Sequence, residues 1–77
     1  MYKKLNKLNP EDYIAYYNQG TAFLKMGMMD RAIKCFSRVV EIKPDSYKSY
    51  YNMAVAMDET GRYEEAVNAF KRAIEIK

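Results

Sequence analysis

The chain has 77 residues, a net charge of +3, no histidine and one cysteine. Its apolar runs are all far shorter than a bilayer span requires. This limits it to one domain with a modest core, leaves no histidine for a catalytic triad or metal site, and gives Cys35 no internal disulfide partner.

Residues 1–10 read as the end of a helix. Tyr2, Leu5 and Leu8 share one face, and Pro10 stops the helix because proline lacks the amide the next turn needs. Met1 to Asn6 has neither the apolar core nor the cleavage site of a secretory signal. A start in mid-helix suggests a unit excised from a longer protein or designed as one.

Asp12 is the expected N-cap of a helix from Tyr13 to Met26. Its apolar face carries Tyr13, Tyr16, Tyr17, Phe23 and Leu24, with Gly20 and Ala22 small. Gly27 ends it, since glycine takes the left-handed backbone without Cβ strain. A second helix starts near Met29, with Ala32, Ile33, Phe36, Val39 and Val40 in one stripe. Asp30 in its first turn and Lys43 in its last suit the helix dipole, and Pro44 ends it. Asp45 or Ser46 is expected to cap a third helix, from Tyr47 to Thr60, that buries Tyr50, Ala54 and Met57. After Gly61 a fourth helix, from Tyr63 to Ile76, carries Tyr63, Ala66, Val67, Phe70, Ala73 and Ile74 on its buried face. No useful strand alternation appears.

The order of these elements is itself repeated. Tyr16-Tyr17-Asn18 returns as Tyr50-Tyr51-Asn52 after 34 residues, and the same shift pairs Gly27 with Gly61, Ala32 with Ala66, Phe36 with Phe70, and Glu41-Ile42-Lys43 with Glu75-Ile76-Lys77. Shifted backward, Phe36, Val39, Ile42 and Pro44 fall on Tyr2, Leu5, Leu8 and Pro10. A fixed period of this size marks a stacked repeat. The fold class is therefore all-α: antiparallel helix hairpins, divided into a partial repeat over 1–10 and full repeats over 11–44 and 45–77. Small residues mark close helix approach, with Gly20 and Ala32 in one hairpin and Ala54 and Ala66 in the other. Tyr16, Phe36, Tyr50 and Phe70 fill the space around them.

The residues Tyr16-Tyr17-Asn18, Gly20, Phe23, Gly27, Ala32, Phe36, Val39 and Pro44 resemble the tetratricopeptide repeat. So do Tyr50-Tyr51-Asn52, Ala54, Gly61-Arg62-Tyr63-Glu64-Glu65-Ala66, Phe70, Ala73 and Ile74. Met29 replaces a common aromatic, and Met53 and Met57 replace leucine and tyrosine, all keeping the volume apolar. The resemblance implies a superhelix whose first helices line a concave face that binds peptide segments or proteins. On this chain that face takes Ile14, Tyr17, Thr21, Leu24 and Lys25, then Lys48, Tyr51, Asn52, Val55, Asp58 and Glu59. Tyr17 and Tyr51 are the expected anchors, combining large rigid area with a hydroxyl. The subclass that clamps a C-terminal carboxylate needs Lys where Tyr17 stands and Asn where Thr21 stands, so that mode is not expected.

Met26, Met28 and Met29 gather at the first inter-helix turn, as end packing or as an adaptable contact patch. Cys35, whose repeat mate is Ala69, reads as a small filler. Neither enzyme activity nor a cofactor is expected. The mild basic excess, with acids such as Glu64, Glu65 and Glu75 among the bases, lacks the stripe that nucleic acid requires. No membrane partner is expected either, and with a lone cysteine a cytoplasmic setting is the default expectation. The expected function is a protein-protein interaction module. The alternative is a structural self-assembly unit, because the resemblance implies a further covering helix and the sequence stops at Lys77. A homo-oligomer, with the dimer favoured, is expected on that ground.

Overall fold

The computed structural model describes residues 12–76, so the expected helix end over 1–10 lies outside the described residues. Within them the chain forms four helices and no strand: α1 (Asp12–Met26), α2 (Met29–Ile42), α3 (Tyr47–Glu59) and α4 (Tyr63–Ile76). Helix α1 packs on α2, α3 packs on α4, and α2 packs on α3, while α1 and α3 barely touch. Short links between successive helices make each an antiparallel neighbour of the next.

The two hairpin turns are built alike. Gly27 and Gly61 have φ of 80° and 83°. Around Gly27, its N–H donates to the Leu24 carbonyl (3.0 Å) and Met28 N–H donates to Phe23 (2.8 Å). Gly61 to Asp58 (3.1 Å) and Arg62 to Met57 (2.8 Å) repeat the pattern. Both are Schellman motifs, which satisfy the last helical carbonyls through a left-handed residue.

Three expectations at helix ends change. Helix α1 already includes Asp12, so its carboxylate sits in the first turn, facing the amide dipole, and is not a cap. Ser46 occupies the position before α3, yet its side chain makes no capping bond to the backbone. Its hydroxyl instead pairs with that of buried Ser49 at 2.9 Å. Lys43 lies one residue past α2, where its N–H donates to Val39 (2.7 Å) and its ammonium meets Asp45 at 3.3 Å.

The core lies mainly between α2 and α3. Ala32, Ile33, Phe36, Met53 and Ala56 form one buried cluster, with Tyr17, Phe23, Leu24, Met29, Val40, Tyr50 and Met57 packed against it. A smaller cluster of Ala54, Ala66 and Ala69 joins α3 to α4, with Met57 and Phe70 alongside. Phe36 is fully buried, as expected, at the centre of its hairpin. Phe70 is only half-buried, because its outer side meets no described helix.

Helix α3 differs most from its expected face. Ser49, Met53, Ala54 and Ala56 are buried, while Tyr50 and Met57 are half-buried. The helix is clasped by α2 on one side and α4 on the other, so two faces are covered. In α4 only the alanines at 66, 69 and 73 are buried; Tyr63, Val67 and Ile74 are exposed. Ala22, read as part of α1's packed face, is exposed too. The ring-on-ring pairs with phenylalanine are made by Tyr17 and Tyr51, whereas Tyr50 packs against the larger cluster. Tyr17 meets Phe36 edge-on at 5.7 Å, and Tyr51 meets Phe70 the same way at 5.5 Å. Tyr50 lies under the Arg72 guanidinium at 5.5 Å.

Cys35 is buried, and burial pushes its thiol above the ordinary value. Its Sγ donates to Oε1 of Gln19 at 3.8 Å. Little thiolate forms near neutral pH in such a site. Alkylation by iodoacetamide is therefore expected to be at least about tenfold slower in the native chain than in denaturant. Equal rates followed by mass spectrometry would remove Cys35 from the interior.

Candidate functional site

Helix periodicity decides what α1 and α3 present together. Tyr13 and Tyr17 are four apart on α1, and Tyr47 and Tyr51 are four apart on α3, so each pair shares one helix face. Between α3 and α4 lies a groove of ≈ 590 Å³, lined by Tyr17, Tyr47, Lys48, Tyr51, Asn52, Phe70, Ala73 and Ile74. A second hollow of ≈ 270 Å³ adjoins it; Tyr17, Tyr47 and Lys48 are common to both, and Tyr13, Lys43, Asp45 and Ser46 complete it. The Lys43 ammonium stands over the Tyr13 ring at 5.7 Å.

Asn52 Nδ2 donates to the Tyr17 hydroxyl oxygen at 3.4 Å. That bond ties α3 to α1 and leaves the Tyr17 O–H able to donate elsewhere. Lysine 48 supplies the single charge among the residues lining the larger groove. The floor is apolar and aromatic. Such a site can hold an apolar side chain of a peptide, accept its amides at tyrosine oxygens and attract one acidic group.

Of the residues expected on the binding face, Tyr17, Lys48, Tyr51 and Asn52 meet in this groove. The other seven lie outside it. Ile14 is 52% exposed, and Lys25, Asp58 and Glu59 are exposed as well. Val55 is half-buried. Leu24 packs against the larger core cluster. Thr21 spends its hydroxyl on its own helix, donating to the carbonyls of Asn18 (2.8 Å) and Tyr17 (3.2 Å). Glu59 borders a separate hollow at the hairpin turns, with Met28, Asp30 and Arg31. In that region Met29 packs on the core, whereas Met26 and Met28 are exposed.

Four groove residues, Tyr47, Phe70, Ala73 and Ile74, were not expected on a binding face. Phe70, Ala73 and Ile74 read as core, like their repeat mates Phe36, Val39 and Val40; Ala73 is buried as expected, whereas Phe70 is half-buried and Ile74 exposed. The signal that distinguishes them is the repeat order. Each second helix turns one side to the first helix of the following hairpin, so its stripe is covered only where such a helix follows.

Two helix hairpins of one design, stacked so that the second covers the first, define a helical repeat protein. The tetratricopeptide repeat family model matches residues 11–77, and the chain belongs to that family. Two crystal structures of MamA share its fold. One aligns with a TM-score of 0.81 and 34% identity over 83% of this chain and 37% of MamA. The other has a TM-score of 0.79 and 34% identity over 83% of this chain and 35% of MamA. This chain thus spans little more than a third of the MamA chains it matches. A comparison with curated proteins gives no match. Among the described residues, no helix is long and apolar enough to cross a membrane.

Proposed function

We propose that this chain takes a segment of a partner protein in the groove between α3 and α4. The family is one of protein-interaction repeats, and the single observation that carries the finer reading is the groove. Its lining brings Tyr17, Lys48, Tyr51 and Asn52 together over an apolar floor. Tyr51 is 54% exposed and its ring is held by Phe70, so it offers area without an ordering cost. The remaining candidates, Ile14, Thr21, Leu24, Lys25, Val55, Asp58 and Glu59, form the flanks of a longer contact. The role is one of binding and not of catalysis, without cofactor, nucleic acid or membrane partner. A cytoplasmic setting suits the single buried thiol.

The test begins with a random-peptide phage library selected on the immobilised chain. Tyr51→Ser is then expected to weaken the selected peptide more than about tenfold, the scale of a hot-spot aromatic. Far-ultraviolet circular dichroism is expected to stay unchanged, since the side chain is largely exposed. Tyr17→Ser is a less specific probe, because that ring also packs on Phe36. Unaltered affinity of the Tyr51 variant would place the peptide elsewhere.

A further inference from the structure

Four tyrosines form a strip across α1 and α3. Tyr13 and Tyr17 lie four apart on one face of α1, and Tyr47 and Tyr51 repeat them on α3. The smaller hollow and the larger groove adjoin along this strip, where they share Tyr17, Tyr47 and Lys48. All four rings come from α1 and α3, and none from α4. Helices in contact lie about 8–10 Å apart. Since α1 and α3 touch only lightly, their tyrosine rows stand about 10 Å from one another.

The strip is rich in hydrogen-bond donors. The Tyr17 oxygen already accepts from the Asn52 amide at 3.4 Å, so its O–H is left to donate. Tyr51 is exposed, and the ammonium groups of Lys43 and Lys48 can only donate. The one carboxylate in the lining, Asp45, is engaged by Lys43 at 3.3 Å. Lys43 is thereby offset. Lys48 is exposed and forms no ion pair among the described residues, so the strip carries one uncompensated positive charge.

These features discriminate among backbones for the partner segment. An α-helix bonds its own carbonyls and would leave the donors idle. A β-strand turns alternate residues away and needs acceptors for its N–H groups. A polyproline II segment has unbonded carbonyls, three residues per turn and a rise of about 3.1 Å per residue. Residues three apart therefore point the same way at a separation of about 9 Å, close to the spacing of the tyrosine rows. Proline has no N–H to satisfy, suits aromatic-lined grooves and brings a fixed backbone that lowers the ordering cost of binding. We propose that Tyr13, Tyr17, Tyr47 and Tyr51 bind a proline-rich segment in the polyproline II conformation, with an acidic residue of that segment at Lys48. The assignment rests on the groove's binding a peptide at all, and it names the chemistry of that peptide.

The probe is a decapeptide of prolines around a central aspartate, blocked at both ends. One control replaces the aspartate with lysine, and another replaces the prolines with alanine. In a heteronuclear NMR titration the probe is expected to shift the amide signals of Tyr13, Tyr17, Tyr47, Lys48 and Tyr51. Each control is expected to bind at least about tenfold more weakly. Tyr17→Phe keeps the ring on Phe36 but loses the donor, and is expected to weaken the probe at least about fivefold with helicity unchanged. Lys48→Glu, at an exposed position, is expected to reverse the preference between the aspartate and lysine peptides. Equal affinity for the proline and alanine peptides overturns the proposal, as does a charge preference that Lys48→Glu leaves in place. A chain that ignores the probe yet binds a library-selected peptide through Tyr51 also overturns it, while the groove reading stands. If Tyr51→Ser leaves the selected peptide's affinity unaltered as well, both fall.

Discussion

Phe36→Ala is expected to unfold most of the chain at room temperature. The ring is fully buried, touches Gly20, meets Tyr17 edge-on at 5.7 Å and belongs to the larger core cluster. Truncating a buried phenylalanine costs about 3–5 kcal/mol through lost transfer energy and the cavity left behind. A domain of this size has a total stability near the low end of about 5–15 kcal/mol. Phe70→Ala is the internal control. Its ring is half-buried against a cluster of alanines, and the loss there is expected to be about 1–2 kcal/mol. Urea titrations followed by circular dichroism compare the two. Equal midpoints for the two variants would contradict the unequal burial of the two repeats.

Gly20→Ala is expected to destabilise the chain even though alanine is the better helix former by about 1 kcal/mol. A Cβ on residue 20 would stand 2.7 Å from Cζ and 2.8 Å from Cε1 of Phe36. That ring is rigid and closed in on all sides, so the backbone of α1 must retreat from α2. Overpacking of this kind costs about 1–3 kcal/mol. The repeat mate of Gly20 is Ala54, fully buried beside half-exposed Phe70, whose ring has an open side to move into. Gly20→Ala combined with Phe36→Leu is accordingly expected to recover part of the loss. A higher melting temperature for Gly20→Ala alone would mean that helix propensity outweighs the contact.

The helices, their order and their turns were legible because they rest on local chemistry. Gly27 and Gly61 stop helices through their own backbone freedom, and both have positive φ. Helices α2 and α3 each pack on two neighbours; α2 still announced its buried face because its apolar residues fall in one stripe, whereas α3 buries Ser49 with Met53, Ala54 and Ala56 and carries no single apolar stripe. The cap at Ser46 was misread for a related reason: buried Ser49 competes for its hydroxyl, and that competition depends on what α3 packs against. Among the site residues, Tyr17, Tyr51, Lys48 and Asn52 came from the resemblance to the tetratricopeptide repeat, while Tyr47, Phe70, Ala73 and Ile74 did not.

By itself, then, the sequence determined that this chain is two helix hairpins of one repeating design, because the 34-residue shift reproduces the turn glycines and the apolar spacing of the second helices. Tertiary structure alone decided which copy of each repeated residue is buried. Phe36 and Phe70 are the same residue in the same local setting, and so are Tyr17 and Tyr51. What separates them is whether another helix lies on their outer side, and burial is a property of neighbours brought together from elsewhere in the chain. Helix α3 supplies that cover to the first hairpin; no described helix supplies it to the second, and there the groove opens.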